Sequence, residues 1–132
     1  MKLKLLSSFF FFLTINISFS QESILVTEST IILDLEETKE LFFSFAEGDE
    51  IIFNMQMVKG KHIKEIEIIE MPSNSLLTEF KSERINNKHI QIRNKGIYKF
   101  RFYSSSITRR VCKIKIHRIP TNETSKDFNT NW

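Results

Sequence analysis

From Ile51 onward the chain alternates apolar and polar side chains with a period of two. Ile51, Phe53, Met55 and Met57 interleave with Ile52, Asn54, Gln56 and Val58. This is strand spacing, because successive side chains of a strand point to opposite faces, whereas a helix brings its apolar residues round every ~3.6 positions. The pattern recurs at Ile66 and Ile68, at Ile90 and Ile92, at Tyr98, Phe100 and Phe102, and at Cys112, Ile114 and Ile116. Further strands are expected over Ile31 to Leu35, Leu41 to Phe45 and Leu76 to Phe80, about eight in all. The stretch from Leu35 to Phe43 has fair helix formers in Glu36, Glu37, Lys39 and Glu40, but it is too short for a helix to nucleate well.

Turn residues punctuate these runs. Glu47-Gly48-Asp49, Lys59-Gly60-Lys61, Met71-Pro72-Ser73-Asn74, Asn86-Asn87, Asn94-Lys95-Gly96 and Ser104-Ser105-Ser106 fall where a meander would reverse, at the ~8–12-residue spacing of β-sandwiches. Half-polar strands without crossover helices predict an all-β domain, an antiparallel β-sandwich of the jelly-roll or GOLD-like kind, with Phe, Ile and Met between the sheets. The sandwich is expected over 21–119. A polar C-terminal tail or linker, loosely ordered, is expected over 120–132.

The N-terminus reads differently. Lys2 and Lys4 precede Leu5, Leu6 and the run Phe9-Phe10-Phe11-Phe12-Leu13, and Ser18-Phe19-Ser20 supplies small residues where a signal peptidase needs them. Residues 1–20 are therefore expected to be a cleaved signal peptide, with Gln21 the first mature residue and the protein exported to the periplasm or the cell exterior. The apolar stretch is shorter than the ~20 residues of a membrane span, and Asn16 interrupts it. No cysteine stands at the cleavage point for lipid attachment, and no second long apolar run follows, so no membrane span is expected after cleavage.

Removing Lys2 and Lys4 leaves 17 basic against 16 acidic residues, which excludes a whole-protein nucleic-acid footprint and leaves only local patches to attract charged partners. Cys112 is the single cysteine, so no intramolecular disulfide forms, although an oxidising compartment permits an intermolecular one. The abundance of Ile, Lys, Asn and Phe points to an AT-rich, bacterial coding sequence. That weighs against glycosylation at Asn122-Glu123-Thr124.

Catalytic chemistry finds little to work with. No glycine pattern frames a serine as a nucleophile, and Cys112, in register with Ile114 and Ile116, is expected to be a buried and inert thiol. His62, His89 and His117 are too scattered for a zinc site. Glu36, Glu37, Glu47, Asp49 and Glu50 could meet to hold calcium, but they lack a dense Asp/Asn ladder. No metal and no cofactor are expected, and the protein is expected not to be an enzyme.

The candidate binding site is electrostatic. Lys99 and Arg101 on one strand share outward parity with Arg109, Lys113, Lys115 and His117 around the next. If the two strands pair, these six form a basic stripe suited to an anionic glycan or lipid head group, unless Glu65 and Glu67 neutralise it from a neighbouring strand.

The run Gly96-Ile97-Tyr98-Lys99-Phe100-Arg101-Phe102, a serine turn, and Arg110-Val111-Cys112-Lys113-Ile114-Lys115-Ile116 together resemble the closing hairpin of GOLD-type β-sandwiches. Glu40-Leu41-Phe42-Phe43-Ser44-Phe45, Gly48-Asp49-Glu50-Ile51-Ile52-Phe53 and Ile66-Glu67-Ile68 fit that family's strand order, so the resemblance covers Ile31 to Ile119. Jelly-roll modules of the pre-peptidase C-terminal and CUB-like types share the pattern. The resemblance implies an interaction module. It transfers no functional residue, and the paired disulfide, coiled coil and membrane helix of cargo receptors are missing.

Two functions follow as expectations: a monomeric, secreted, non-enzymatic module binding a protein or glycan, or the N-terminal structural domain of a longer exported protein, with Asn129-Thr130-Asn131-Trp132 as the start of a linker. A small hydrolase is a distant third.

Overall fold

A computed structural model describes residues 22–61, 63, 65–105, 107–121 and 126–131. The expected signal peptide, Gln21, His62, the Asn122 triplet and Trp132 lie outside these residues. Eight strands run in order: β1 (Ile24–Leu33), β2 (Thr38–Phe45), β3 (Glu50–Lys59), β4 (Glu65–Glu70), β5 (Ser75–Phe80), β6 (Arg84–Gln91), β7 (Gly96–Tyr103) and β8 (Arg110–Ile119). They form two four-stranded sheets, β1-β8-β3-β6 and β2-β7-β4-β5, whose strands pair antiparallel throughout. Each sheet interleaves strands distant in sequence, the double Greek-key order of an eight-stranded jelly roll.

The chain thus crosses between sheets at almost every turn, and only β4 and β5 are sequence neighbours that pair. The expected meander is corrected here. In particular β7 and β8 are not a hairpin, since the 104–109 loop carries the chain from the second sheet to the first across the ~10 Å that separates packed sheets. Two other expectations change. β1 begins at Ile24, seven residues before the expected strand at Ile31, because a register shift between Leu25 and Thr27 breaks the alternation that would have marked it. Asn86-Asn87 is no turn. It lies inside β6, where the register with β3 shifts and Asn87 takes a left-handed φ of 45°, and the Asn87 backbone N–H donates to Asn54 Oδ1 at 2.8 Å.

The core is the inward parity of both sheets. Phe100 on β7 spans it, packing edge-on against Phe43 of its own sheet (ring centroids 5.6 Å apart) and against Phe53 of the other (5.8 Å). Tilted contacts of Phe45 with Tyr98 and of Phe53 with Phe80 extend the cluster. Such contacts add a geometric preference to plain burial, and this cluster fixes how the sheets face each other.

One inward position is charged. Arg118 continues the parity of Cys112, Ile114 and Ile116, and its Nη1 donates to Asp49 Oδ2 at 2.9 Å with both residues buried. Asp49 Oδ2 also accepts from the Ala46 backbone N–H at 2.9 Å. The same turn places Gly48 at a φ of 84°, where a side chain would run into Thr121.

The tail expected to be loose packs instead, over the residues described. Arg118 Nη2 donates to the Lys126 carbonyl at 3.0 Å, and its guanidinium lies 5.9 Å from the Phe128 ring, which Lys95 approaches to 5.7 Å. The Ser44 N–H donates to the Thr130 carbonyl, and Asn131 bridges to Phe43, so the segment covers part of the β2 edge. Composition hid this, because the docking uses backbone groups and a single ring.

Candidate functional site

The six basic residues expected to form one stripe divide among three places. Lys99 and Arg101 project from the outer face of the second sheet. In register, Lys99 stands between Phe42 and Ile69, and Arg101 stands between Glu40 and Glu67. Arg101 Nη1 donates to Glu67 Oε1 at 2.6 Å, and its guanidinium lies 5.9 Å from the Tyr103 ring, so its charge is already engaged within the fold. Arg109 belongs to the 104–109 loop and pairs through Nε with Asp34 Oδ1 at 2.7 Å.

Lys113, Lys115 and His117 occupy the outer face of the first sheet. A single stripe of six is therefore corrected to two separate faces and a loop, because inward parity is the same whether two strands share a sheet or oppose one another.

Around the second group the sheet builds a site from its neighbours. Lys113 stands between Thr30 of β1 and Gln56 of β3, Lys115 between Glu28 and Asn54, and His117 between Leu25 and Ile52. Two residues apart on one strand, the lysine side chains leave the sheet about 7 Å from each other. They border a shallow depression of about 630 Å³ that crosses all four strands, from Glu28 and Thr30 through Asn54 and Gln56 to Asn86 and Asn87. The bulge in β6 brings both asparagines to this depression, a re-aiming of side chains that a regular strand could not achieve. Asn54, pinned by the Asn87 N–H, is held in place among them.

Electrostatically the depression is unbalanced. Among the described residues neither Lys113 nor Lys115 has an ion-pair partner, and Glu28 is the one carboxylate among its lining residues. Next to it, across Ile52 from His117, His89 Nδ1 lies 2.6 Å from Glu50 Oε1, which occupies that acid.

The carboxylates considered for calcium do not meet. Glu36 and Glu37 lie in the turn between β1 and β2, at one end of the sandwich, whereas Glu47, Asp49 and Glu50 lie at the other, where Asp49 is committed to Arg118 and Glu50 to His89. Among the described residues no group of three or more His, Cys, Asp or Glu side chains could hold a metal ion. Cys112 is buried, and desolvation pushes its thiol up to about 12. No helix of the described residues is long and apolar enough to cross a membrane.

Compared with known proteins, the chain matches no family model and no curated protein. The polar lining of the depression, above all Asn54, Gln56, Asn86 and Asn87, escaped sequence reasoning. Asn54 and Gln56 share the outward parity of their strand, but only the order β8-β3-β6 places them beside the lysines.

Proposed function

We propose that the chain is an exported, non-enzymatic binding module that holds an acidic glycan in the depression on the outer face of the first sheet. The observation that carries this is the pair Lys113 and Lys115, two ammonium groups with no ion-pair partner among the described residues, set in a depression whose polar lining is mostly amides and hydroxyls, with His117 and the one carboxylate Glu28 beside them. Amide and hydroxyl groups exchange hydrogen bonds with water for hydrogen bonds with sugar at little net gain, so they confer fit more than affinity. Bonds from an ammonium to a carboxylate or sulfate are about twice as strong, and supply the affinity. Among the described residues no Phe, Tyr or Trp lines the depression to stack on a sugar ring, which favours an acidic over a neutral glycan.

Electrophoresis through gels containing polygalacturonate or a neutral glucan tests the reading. The exported protein is expected to be retarded by the polyuronate alone. Lys113→Ala/Lys115→Ala abolishes the retardation, while Lys99→Ala/Arg101→Ala, which removes the same charge from the opposite sheet, leaves it intact. Equal retardation of the two double variants overturns the assignment.

A further inference from the structure

The end of the sandwich that carries the β1–β2, β3–β4 and β7–β8 connections is studded with exposed aliphatic side chains. Leu35 is 65% exposed, Val58 57%, Ile107 85% and Ile32 44%. In register, Ile32 lies opposite Val111, and Val111 lies opposite Lys59, so the apolar positions of the sheet run directly into those of the loops.

Several contacts join these loops. Arg109 of the β7–β8 loop pairs with Asp34 at 2.7 Å, and the Ser104 N–H donates to the Glu37 carbonyl at 3.3 Å, tying that loop to the β1–β2 turn beside Leu35. Gly60, at a φ of 92°, presses against the Arg110 side chain so closely that a Cβ there would collide with it. The connections that carry Leu35, Ile107 and Val58 are therefore braced against one another at this end of the sandwich.

We infer that this end docks peripherally on an anionic lipid bilayer, with Leu35, Ile107 and Val58 entering the interface and Lys59 and Lys61 meeting the head groups. Separate convex tips suit the deformable head-group and acyl boundary, where apolar area and cationic attraction add together. Lys59 and Lys61 are exposed with no ion-pair partner among the described residues. Two of the nearby carboxylates are compensated, Asp34 by Arg109 and Glu37 by Lys39 at 3.2 Å. That leaves Glu36 in the turn as an opposing charge, and Glu83, which lines a common hollow with Lys61, has Arg84 beside it there.

Co-sedimentation with vesicles of phosphatidylcholine, with and without phosphatidylglycerol, tests this independently of glycan binding. The exported protein is expected to pellet with the anionic vesicles and to be released by raised salt. Leu35→Asp/Ile107→Asp lowers the partition by at least about tenfold, and Lys59→Gln/Lys61→Gln removes the preference for phosphatidylglycerol. Both variants change exposed side chains, so unchanged thermal melting shows that the fold survives. Failure of the wild type to pellet, equal pelleting on both lipids, or full retention by Leu35→Asp/Ile107→Asp overturns the proposal.

Discussion

Asp49 and Arg118 form an ion pair shut off from solvent, joined at 2.9 Å between Asp49 Oδ2 and Arg118 Nη1. It links the β2–β3 turn to the end of β8 and, through the Lys126 carbonyl, to the C-terminal segment. Among the described residues Asp49 Oδ1 has no hydrogen-bond partner, and removing the cation leaves a buried carboxylate that, among those residues, keeps the Ala46 N–H as its support.

Arg118→Leu is therefore expected to destabilise the fold by about 3–5 kcal/mol, the cost of stranding one member of a buried pair. Urea denaturation gives the value. Proteolysis in the native state should cut near Lys126 sooner in the variant, because the same guanidinium holds that segment.

Cys112 should behave as an inert core residue. With its thiol pushed up to about 12 by burial, the thiolate fraction near pH 8 is roughly a thousandfold below that of an ordinary cysteine. Maleimide labelling of the native protein is expected to be slower than in urea by at least that factor, and intermolecular disulfides should form only from unfolded chains.

How the charges distribute shows where sequence reading stops. Strands β3, β4, β7 and β8 are legible because each repeats apolar positions every second residue, and that parity places Phe53, Ile68, Phe100 and Ile114 inside, whereas in β6 the buried Ile85 and Ile90 stand five apart across the bulge. Parity does not say which sheet a strand joins. Lys99 and Lys113 both point away from the core, yet they stand on opposite faces of the molecule, because β7 and β8 belong to different sheets. Arg118 takes the inward parity of its strand despite its charge, because Asp49 meets the guanidinium. Asn86-Asn87 carried turn chemistry, but the continued pairing of β6 with β3 on both sides absorbs the extra residue as a bulge.

The β1–β2 turn predicts a small acid dependence. Glu37 Oε2 accepts from the Asp34 N–H at 2.8 Å, and this bond, aided by Lys39, holds the Glu37 carboxyl below its ordinary value. A depressed folded-state pKa contributes stability that is present above the unfolded value and lost as pH falls through the folded one. Glu37→Gln should thus flatten the acid limb of the stability curve, with a small loss of stability at neutral pH that disappears once the pH falls below the folded-state value of Glu37. Side-chain carboxyl NMR titration locates the midpoint.

Glu28 provides the sharpest test of what the first sheet's outer face binds. It lies opposite Lys115 in the β1–β8 register, and among the described residues it forms no ion pair and is the one acidic residue lining the depression. If the ligand is an acidic glycan, this carboxylate repels it and partly screens Lys115, so Glu28→Gln should tighten binding. Half-exposed charges about one strand spacing apart interact by roughly 0.5–1 kcal/mol, which corresponds to about a two- to fivefold gain in affinity that raised salt diminishes. A neutral glycan held only by amides and hydroxyls would be indifferent to the change, and a cationic ligand would bind more weakly. Isothermal titration with a defined oligogalacturonate, at low and raised salt, separates these outcomes by sign, and loss of affinity in Glu28→Gln would exclude the acidic ligand.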